Sequence, residues 1–301
     1  MYDLIIIGAG PAGITASVYA VRKKINFLVI TRDIGGQAAW SGDIENYTGY
    51  QFITGPELAA KFEEHMHKFE IKLNENEEVQ DITKKNNVFT IKTDKDSYVT
   101  KTIIIASGKR SRELGVPGEK EYKNKGLTYC ATCDGPLFSG KDVAIIGGGN
   151  SALDATMQLV NIANKVYLIN NTAVLGGDEI IREKVIKNNK VIVFNNSQVL
   201  EVKGSKLVNA IRFKINNDEK TLAVEGIFVE IGLIPNSGFA KEIVARNELK
   251  EIKINLHNET STEGIFAAGD VTDVPEKQII IAAGEGSKAA LSVFKYLIHQ
   301  K

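Results

Sequence analysis

Two glycine-rich turns, each set between a strand pattern and a helix pattern, constrain this chain more than anything else in it. Residues Asp3 to Ile7 read as a buried parallel strand, and Gly8-Ala9-Gly10-Pro11-Ala12-Gly13 follows at once. A helical pattern then runs through Ile14, Ala16, Tyr19 and Ala20, and a second strand, Asn26 to Ile30, completes a βαβ unit. In this context each glycine has its own role. Gly8 permits the tight turn, Gly10 lets backbone approach a pyrophosphate, and Gly13 lets helix and strand pack closely. The helix N-terminus, with Pro11 and Ala12 in its first turn, offers free N–H groups and the positive end of a dipole. The pattern returns later. Lys141 to Ile146 reads as a strand, Gly147, Gly149 and Ala152 fit G-x-G-x-x-A with Asn150 and Ser151 between them, and a helix to about Ala163 leads into a strand at Lys165 to Ile169. The second turn has two readings, a nucleotide site and a packing turn without ligand. The fold class expected is α/β, with two Rossmann-like dinucleotide-binding domains.

Between the two turns lie the only cysteines of the chain, in Cys130-Ala131-Thr132-Cys133. A disulfide closing so short a loop restricts the unfolded chain very little, so a structural staple is a poor reading. Zinc needs about four ligands. No third cysteine exists, and the four histidines, His65, His67, His257 and His299, are scattered. Two buried thiols are the bland alternative. The C-x-x-C spacing beside nucleotide fingerprints favours a redox-active pair, because dithiol and disulfide interconvert there with little backbone movement.

A chain of 301 residues holds two ordinary domains, and 37 basic against 37 acidic residues give no electrostatic argument for a nucleic-acid or membrane partner. No apolar run reaches membrane-spanning length, and residues 1–8 lack the features of a signal peptide. A redox dithiol without structural disulfides suits a reducing cytoplasm. Residues 79–105 suggest an antiparallel excursion. The helix from Pro56 to Phe69 carries a core stripe of Leu58, Phe62, Met66 and Phe69.

Taken together, the Gly8 to Gly13 turn, Gly35-Gly36-Gln37, DIENY at Asp43 to Tyr47, CATCDG at Cys130 to Gly135, the Gly147 to Ala152 turn and FAAGDV at Phe266 to Val271 resemble the low-molecular-weight thioredoxin reductases over the whole chain. Tyr129-Cys130, DGPLF at Asp134 to Phe138, GIFVEIG at Gly226 to Gly232 and QIIIAAGEG at Gln278 to Gly286 resemble equally the reductase portion of the alkyl hydroperoxide reductase flavoprotein. That flavoprotein carries an additional N-terminal dithiol domain. Here the first strand begins at residue 3, so the expectation is that electrons leave to a separate protein.

The resemblance implies FAD at the first turn. Contributions are expected from Gly8, Gly10, Pro11, Ala12, Gly13, Gly35, Gly36, Gln37 and Asn46, and from Gly269, Asp270, Gln278 and Ile279 near the C-terminus. FAD residues at both ends imply three-layer (ββα/αβα) domains with the second inserted in the first. The FAD domain is placed at 1–112 and 241–301, and the inserted NAD(P)-binding-like domain, which carries the dithiol, at 113–240. The chain is expected to cross near Val116-Pro117-Gly118 and to return at Leu233 to Gly238. By the family pattern Cys133 is the flavin-side cysteine and Cys130 the exchange nucleophile. Asp134 is the group that protonates the departing thiolate, with a helix N-cap as its other reading. A rotation about the two crossings would let the dithiol serve flavin and partner in turn.

One departure concerns the electron donor. NADPH-dependent members carry a His-Arg-Arg-x-x-x-Arg cluster where this chain has Asn170, Asn171, Thr172 and Gly176, and the hydroperoxide-reductase type carries a glutamate there that is also missing. Asparagine can bond a ribose hydroxyl, which leaves NADH open, whereas a 2′-phosphate lacks its arginines. Some members of the wider family without these residues take electrons from reduced ferredoxin. The expected function is reduction of thioredoxin, or a thioredoxin- or glutaredoxin-like protein, by a homodimeric flavoprotein. The alternatives are an NADH-dependent reductase for a peroxiredoxin-supporting redoxin, and a flavin-binding carrier or sensor without dithiol turnover.

Overall fold

The computed structural model describes residues 1–41, 43–216 and 218–299, apart from the side chains of Trp40 and Asp43. The chain divides into two compact units: Met1–Ser41, Glu45–Arg110 and the chain from Ile234 onward form one, and Ser111–Leu233 with Ile44 the other.

In the first unit, strand Tyr2–Ala9 lies between Phe27–Ile34 and Ser97–Ile105, parallel to both, with Ile6 opposite Val29 on one side and Ile104 on the other. Ile265–Ala267 extends the parallel set beyond Ser97–Ile105. The expected excursion is present as strands Val79–Lys85 and Val88–Thr93, which run antiparallel. Ser97–Ile105 serves both layers: its start pairs with Val88–Thr93, and its end pairs with Tyr2–Ala9. Successive side chains on a strand point to opposite faces. Leu4 and Ile6 therefore pack under the helices Pro11–Arg22 and Ile279–His299, with Ile14, Ala289 and Val293. Ile5 and Ile7 pack on the other side with Ile82, Phe89 and Ile91. Burial on both faces is why the run shows no polar alternation. Each such isoleucine contributes roughly 1.5–3 kcal/mol of transfer free energy.

The second unit repeats the plan. Its parallel sheet has the order Leu127–Thr128, Gly226–Val229, Asp142–Ile146, Lys165–Ile169, Val191–Phe194. Val143 and Ile145 pack against helix Asn150–Leu159, with Ala152 and Leu159. Ala144 and Ile146 face Val202, Ile211 and Phe213 of an antiparallel sheet formed by Ser197–Gly204, Val208–Ile215 and Asp218–Ala223. Both units are thus Rossmann-like three-layer folds, as the sequence implies.

Two expectations change. The helix after the second turn ends at Leu159, not at about Ala163. There the ladder tightens, with Ile162 N–H bonding Leu159 O, and the Lys190 ammonium caps the carbonyls of Val160 and Ala163 at 2.9 and 3.0 Å. Val116-Pro117-Gly118 lies inside the second unit, where Pro117 O accepts from Val202 N–H. The chain passes between units at Arg110/Ser111 and Leu233/Ile234, and strands Lys109–Ser111 and Leu233–Pro235 pair with each other. Helix Gly55–Lys68 carries Leu58 and Met66 buried, and Phe62 packs against the same core. Among the described residues no helix is long and apolar enough to cross a membrane.

Candidate active site

The first glycine turn is built so that only glycine fits at two of its positions. Gly8 has φ +104°, and a Cβ there would stand 2.5 Å from Ala106 O; a Cβ on Gly13 would stand 1.8 Å from Gly8 O. Helix Pro11–Arg22 begins after Gly10 with proline in its first turn and no side chain bonded to its N-terminal N–H groups. Those donors can bind an anion. Gly36 lies beside the turn, its Cβ position 3.2 Å from Gly10 Cα, and opens the short helix Gly36–Trp40 that carries Gln37 after the left-handed Gly35.

The C-terminal residues come to the same unit. Asn46 Nδ2 donates to Gln278 Oε1 at 3.1 Å, joining two expected site residues far apart in sequence. Gly269 and Asp270 form a short turn after Ile265–Ala267, and Ile279 opens the C-terminal helix. A Cβ on Gly269 would stand 2.9 Å from Ala12 Cβ, so this turn abuts the first. Burial raises the Asp270 carboxyl, against the opposing charges of Lys277 and Lys109. Pyrophosphate donors, small residues and a carboxylate able to accept from hydroxyls together suit a dinucleotide such as FAD. Lys109, Glu251 and Lys277 carry no sequence signal and were not expected here. Lys109 and Glu251 form a buried ion pair, and Lys277 Nζ lies 3.5 Å from the same carboxylate. Burial pushes Glu251 up, but bonds from Lys109 and Asn247 and the two lysine charges hold it below the ordinary glutamate range.

In the second unit Cys130 and Cys133 form a disulfide with Cα atoms 5.3 Å apart. Strand Leu127–Thr128 delivers Cys130 to the N-cap of a four-residue helix, Ala131–Asp134, and Cys130 Sγ accepts from Cys133 N–H at 3.1 Å. Both cysteines are partly exposed, and Thr132 between them is exposed. Asp134 is buried and accepts a hydrogen bond from the Thr128 hydroxyl. Although Asp134 precedes the short helix Gly135–Phe138, its side chain makes no capping bond there, so the N-cap reading gives way to the link with Thr128. Tyr129 donates to Glu119 at 2.8 Å; burial first, then this carboxylate, raises its phenol.

The second turn is differently furnished. A Cβ on Gly147 would stand 2.3 Å from Glu230 O, and Gly149 precedes helix Asn150–Leu159, in which Ser151 is exposed and Ala152 buried. The chain's own loop engages this turn: Gly176 N–H donates to Gly148 O at 2.7 Å, and Asp178 N–H to Asn150 Oδ1 at 2.8 Å. Asn170, expected as a ribose partner, is 2% exposed, and its amide is spent on Thr172, Val174 and Asn195. The side chain locks the loop instead of facing a ligand, and Gly148 makes room for it, since a Cβ there would stand 2.2 Å from Asn170 Oδ1. Asn171 is exposed. Glu230, also not expected from sequence, ends the apolar run GIFVE. Its Oε1 accepts from Ala131 N–H at 3.4 Å. A charged residue closing a buried strand was the available signal.

The site defines a class: a two-unit dinucleotide fold carrying a C-x-x-C disulfide. The chain belongs to the pyridine nucleotide-disulphide oxidoreductase family, which it matches over residues 2–286, a family of flavoproteins. It is similar to the thioredoxin reductase of Streptococcus pyogenes in structure, with a TM-score of 0.94, 37% identity and 99% of each chain covered. It is 42% identical to an alkyl hydroperoxide reductase component of Pseudomonas aeruginosa and 40% identical to a protein of Bacillus subtilis named NADH dehydrogenase. It covers 58% and 59% of those two proteins and 99% of itself in each case, so it spans a little over half the length of the curated relatives it matches.

Proposed function

We propose that the chain is a flavoprotein disulfide reductase, which passes two electrons from FAD in the first unit to the Cys130–Cys133 disulfide and from there to a thioredoxin-like protein. The closed, partly exposed disulfide at a helix N-terminus carries this reading. FAD, when bound, supplies the two-electron carrier. In this reading the first unit is the FAD domain and the second, which carries the dithiol, is the inserted domain, with the crossings at Arg110/Ser111 and Leu233/Ile234 in place of the expected bounds.

The cysteines then work as follows. Reduction opens the disulfide to a thiol and a thiolate. Cys133 N–H stabilises charge on Cys130 Sγ, which suits Cys130 to attack a partner disulfide. One partner sulfur joins Cys130, and the other leaves as a thiolate and takes a proton, for which Asp134 is the donor. Cys133 next passes its thiol proton to the Asp134 carboxylate and attacks Cys130 Sγ as a thiolate, restoring the internal disulfide and releasing the second partner sulfur as a thiolate, which is protonated in turn.

NADPH is not the donor in this reading, because Asn170 is committed to its own loop and no arginine stands at 170–176. Reduced ferredoxin, docking as a protein, takes that place. The name of the Bacillus subtilis relative favours NADH as a second reading. The working form is taken to be a homodimer in the cytoplasm. An anaerobic titration of the flavin with NADPH, NADH and reduced ferredoxin in turn separates the donors. Thioredoxin reduction that persists in Cys130→Ser would overturn the dithiol mechanism and leave a flavin carrier.

A further inference from the structure

Glu230 stands where three features of the second unit converge. It follows strand Gly226–Val229, and its N–H donates to Ile146 O at 2.8 Å, so its backbone closes the sheet beside the Gly147 turn. The strand order reverses between Gly226–Val229 and Asp142–Ile146, and a Rossmann-like sheet opens its crevice at the carboxyl ends of such a pair. The carboxylate accepts from Ala131 N–H, the first helical residue after Cys130.

We propose that Glu230 is the proton store of the dithiol: its carboxylate takes up a proton when the Cys130–Cys133 disulfide opens, and returns it when the disulfide re-forms. The inference rests on the dithiol reading above. The balance is simple. Two electrons and two protons enter; the sulfur–sulfur bond breaks to one thiol and one thiolate, and the second proton goes to Glu230.

The physical reason is crowding of like charge. Cys133 N–H already points at Cys130 Sγ, so the thiolate charge settles on that sulfur. Its neighbour in sequence, Ala131, holds the Glu230 carboxylate by its N–H. Two anions sharing one end of a short helix disfavour each other, and the one nearer its neutral form gives way. Burial, which outweighs the bond from Ala131, and the charge of Asp154 already push the Glu230 carboxyl up to about 7. The charge that acts on it is that of Asp154, itself acidic. On the dithiol helix Asp134 is engaged by Thr128, and on Asn150–Leu159 the charged neighbour is Asp154. After Gly118, Glu119 is held by the N–H groups of Leu114 and Gly115 and by Tyr129. Arg112 lies beside Gly232, its Nε 4.0 Å from that residue's Cβ position. Glu230 is a positioning residue in this account, because it reaches the sulfurs through Ala131.

The test is a proton balance on the full chain with its flavin, reduced anaerobically by dithiothreitol in weak buffer with an indicator dye. Dithiothreitol delivers two electrons and two protons. The wild type keeps both protons, whereas Glu230→Gln releases up to about one per disulfide, most clearly within roughly a unit above pH 7. Equal balances in the two proteins would overturn the proposal. Glutamine keeps an acceptor for Ala131 N–H, so the fold should stand. Should that variant not fold, the infrared carboxyl band of the wild type decides: it must grow on reduction, and an unchanged band sinks the idea. No redoxin enters the assay, so the result stands apart from whether a redoxin is the acceptor.

Discussion

At the scale of residues, a half-buried and a buried carboxylate make opposite pH predictions. Glu230 is raised in the folded state, so the folded protein binds its proton more tightly than the unfolded chain. Stability must then fall as pH rises from the ordinary glutamate value through about 7. Glu230→Gln should be more stable than wild type at pH 8, by up to about 2 kcal/mol, with the gap closing near pH 5. Urea denaturation at the two pH values reads this directly. Glu251 is lowered, so its contribution is present at neutral pH and lost as pH falls through its folded value. Glu251→Gln leaves Lys109 and Lys277 with only Asp270 as a nearby counter-charge, and should cost about 3–5 kcal/mol at pH 7 and less in acid. Neither group was legible in the sequence as a partner of anything, because Lys109 and Glu251 meet across 142 residues.

At the scale of elements, the packing of Pro11–Arg22 on Ile279–His299 governs the first glycine turn. A Cβ on Gly286 would stand 2.0 Å from Ala12 O, so the two helices touch at backbone. Gly286→Ala should force them apart, cost roughly 1–3 kcal/mol, and weaken flavin retention by moving the helix N-terminus. Thermal melting with measured flavin content checks both effects. In the second unit, Asn170→Ala removes the lock on the 170–178 loop and should cost about 1–3 kcal/mol through unpaired backbone carbonyls. If the mutant gains no response to NADH, the loop alone does not exclude the nucleotide. The strands and the two glycine turns were readable because they are local and periodic. The end of the helix at Leu159 was not, because Lys190 decides it from a position beyond the next strand and helix.

At the scale of the molecule, the same three-layer plan occurs twice, and the two glycine turns are furnished differently. The first has a bare helix N-terminus and convergent C-terminal residues; the second has a loop bonded to its turn. Added FAD should therefore raise the melting temperature of flavin-stripped protein, with about 2.7 kcal/mol of stabilisation at a hundredfold excess over Kd, while NADPH should leave it unchanged. Calorimetry with each ligand tests this. The sequence by itself determined the two βαβ units, the turn residues that only glycine satisfies, and the redox pair, because each is a short-range pattern set by sterics or strand and helix period. Only the tertiary structure decided what the polar side chains are for. Asn170 became a loop lock, Asp134 a partner of Thr128, and Glu230 a neighbour of the dithiol helix. The reason is that a side-chain hydrogen bond depends on which distant backbone group arrives within about 3 Å, and no periodicity along the chain encodes that.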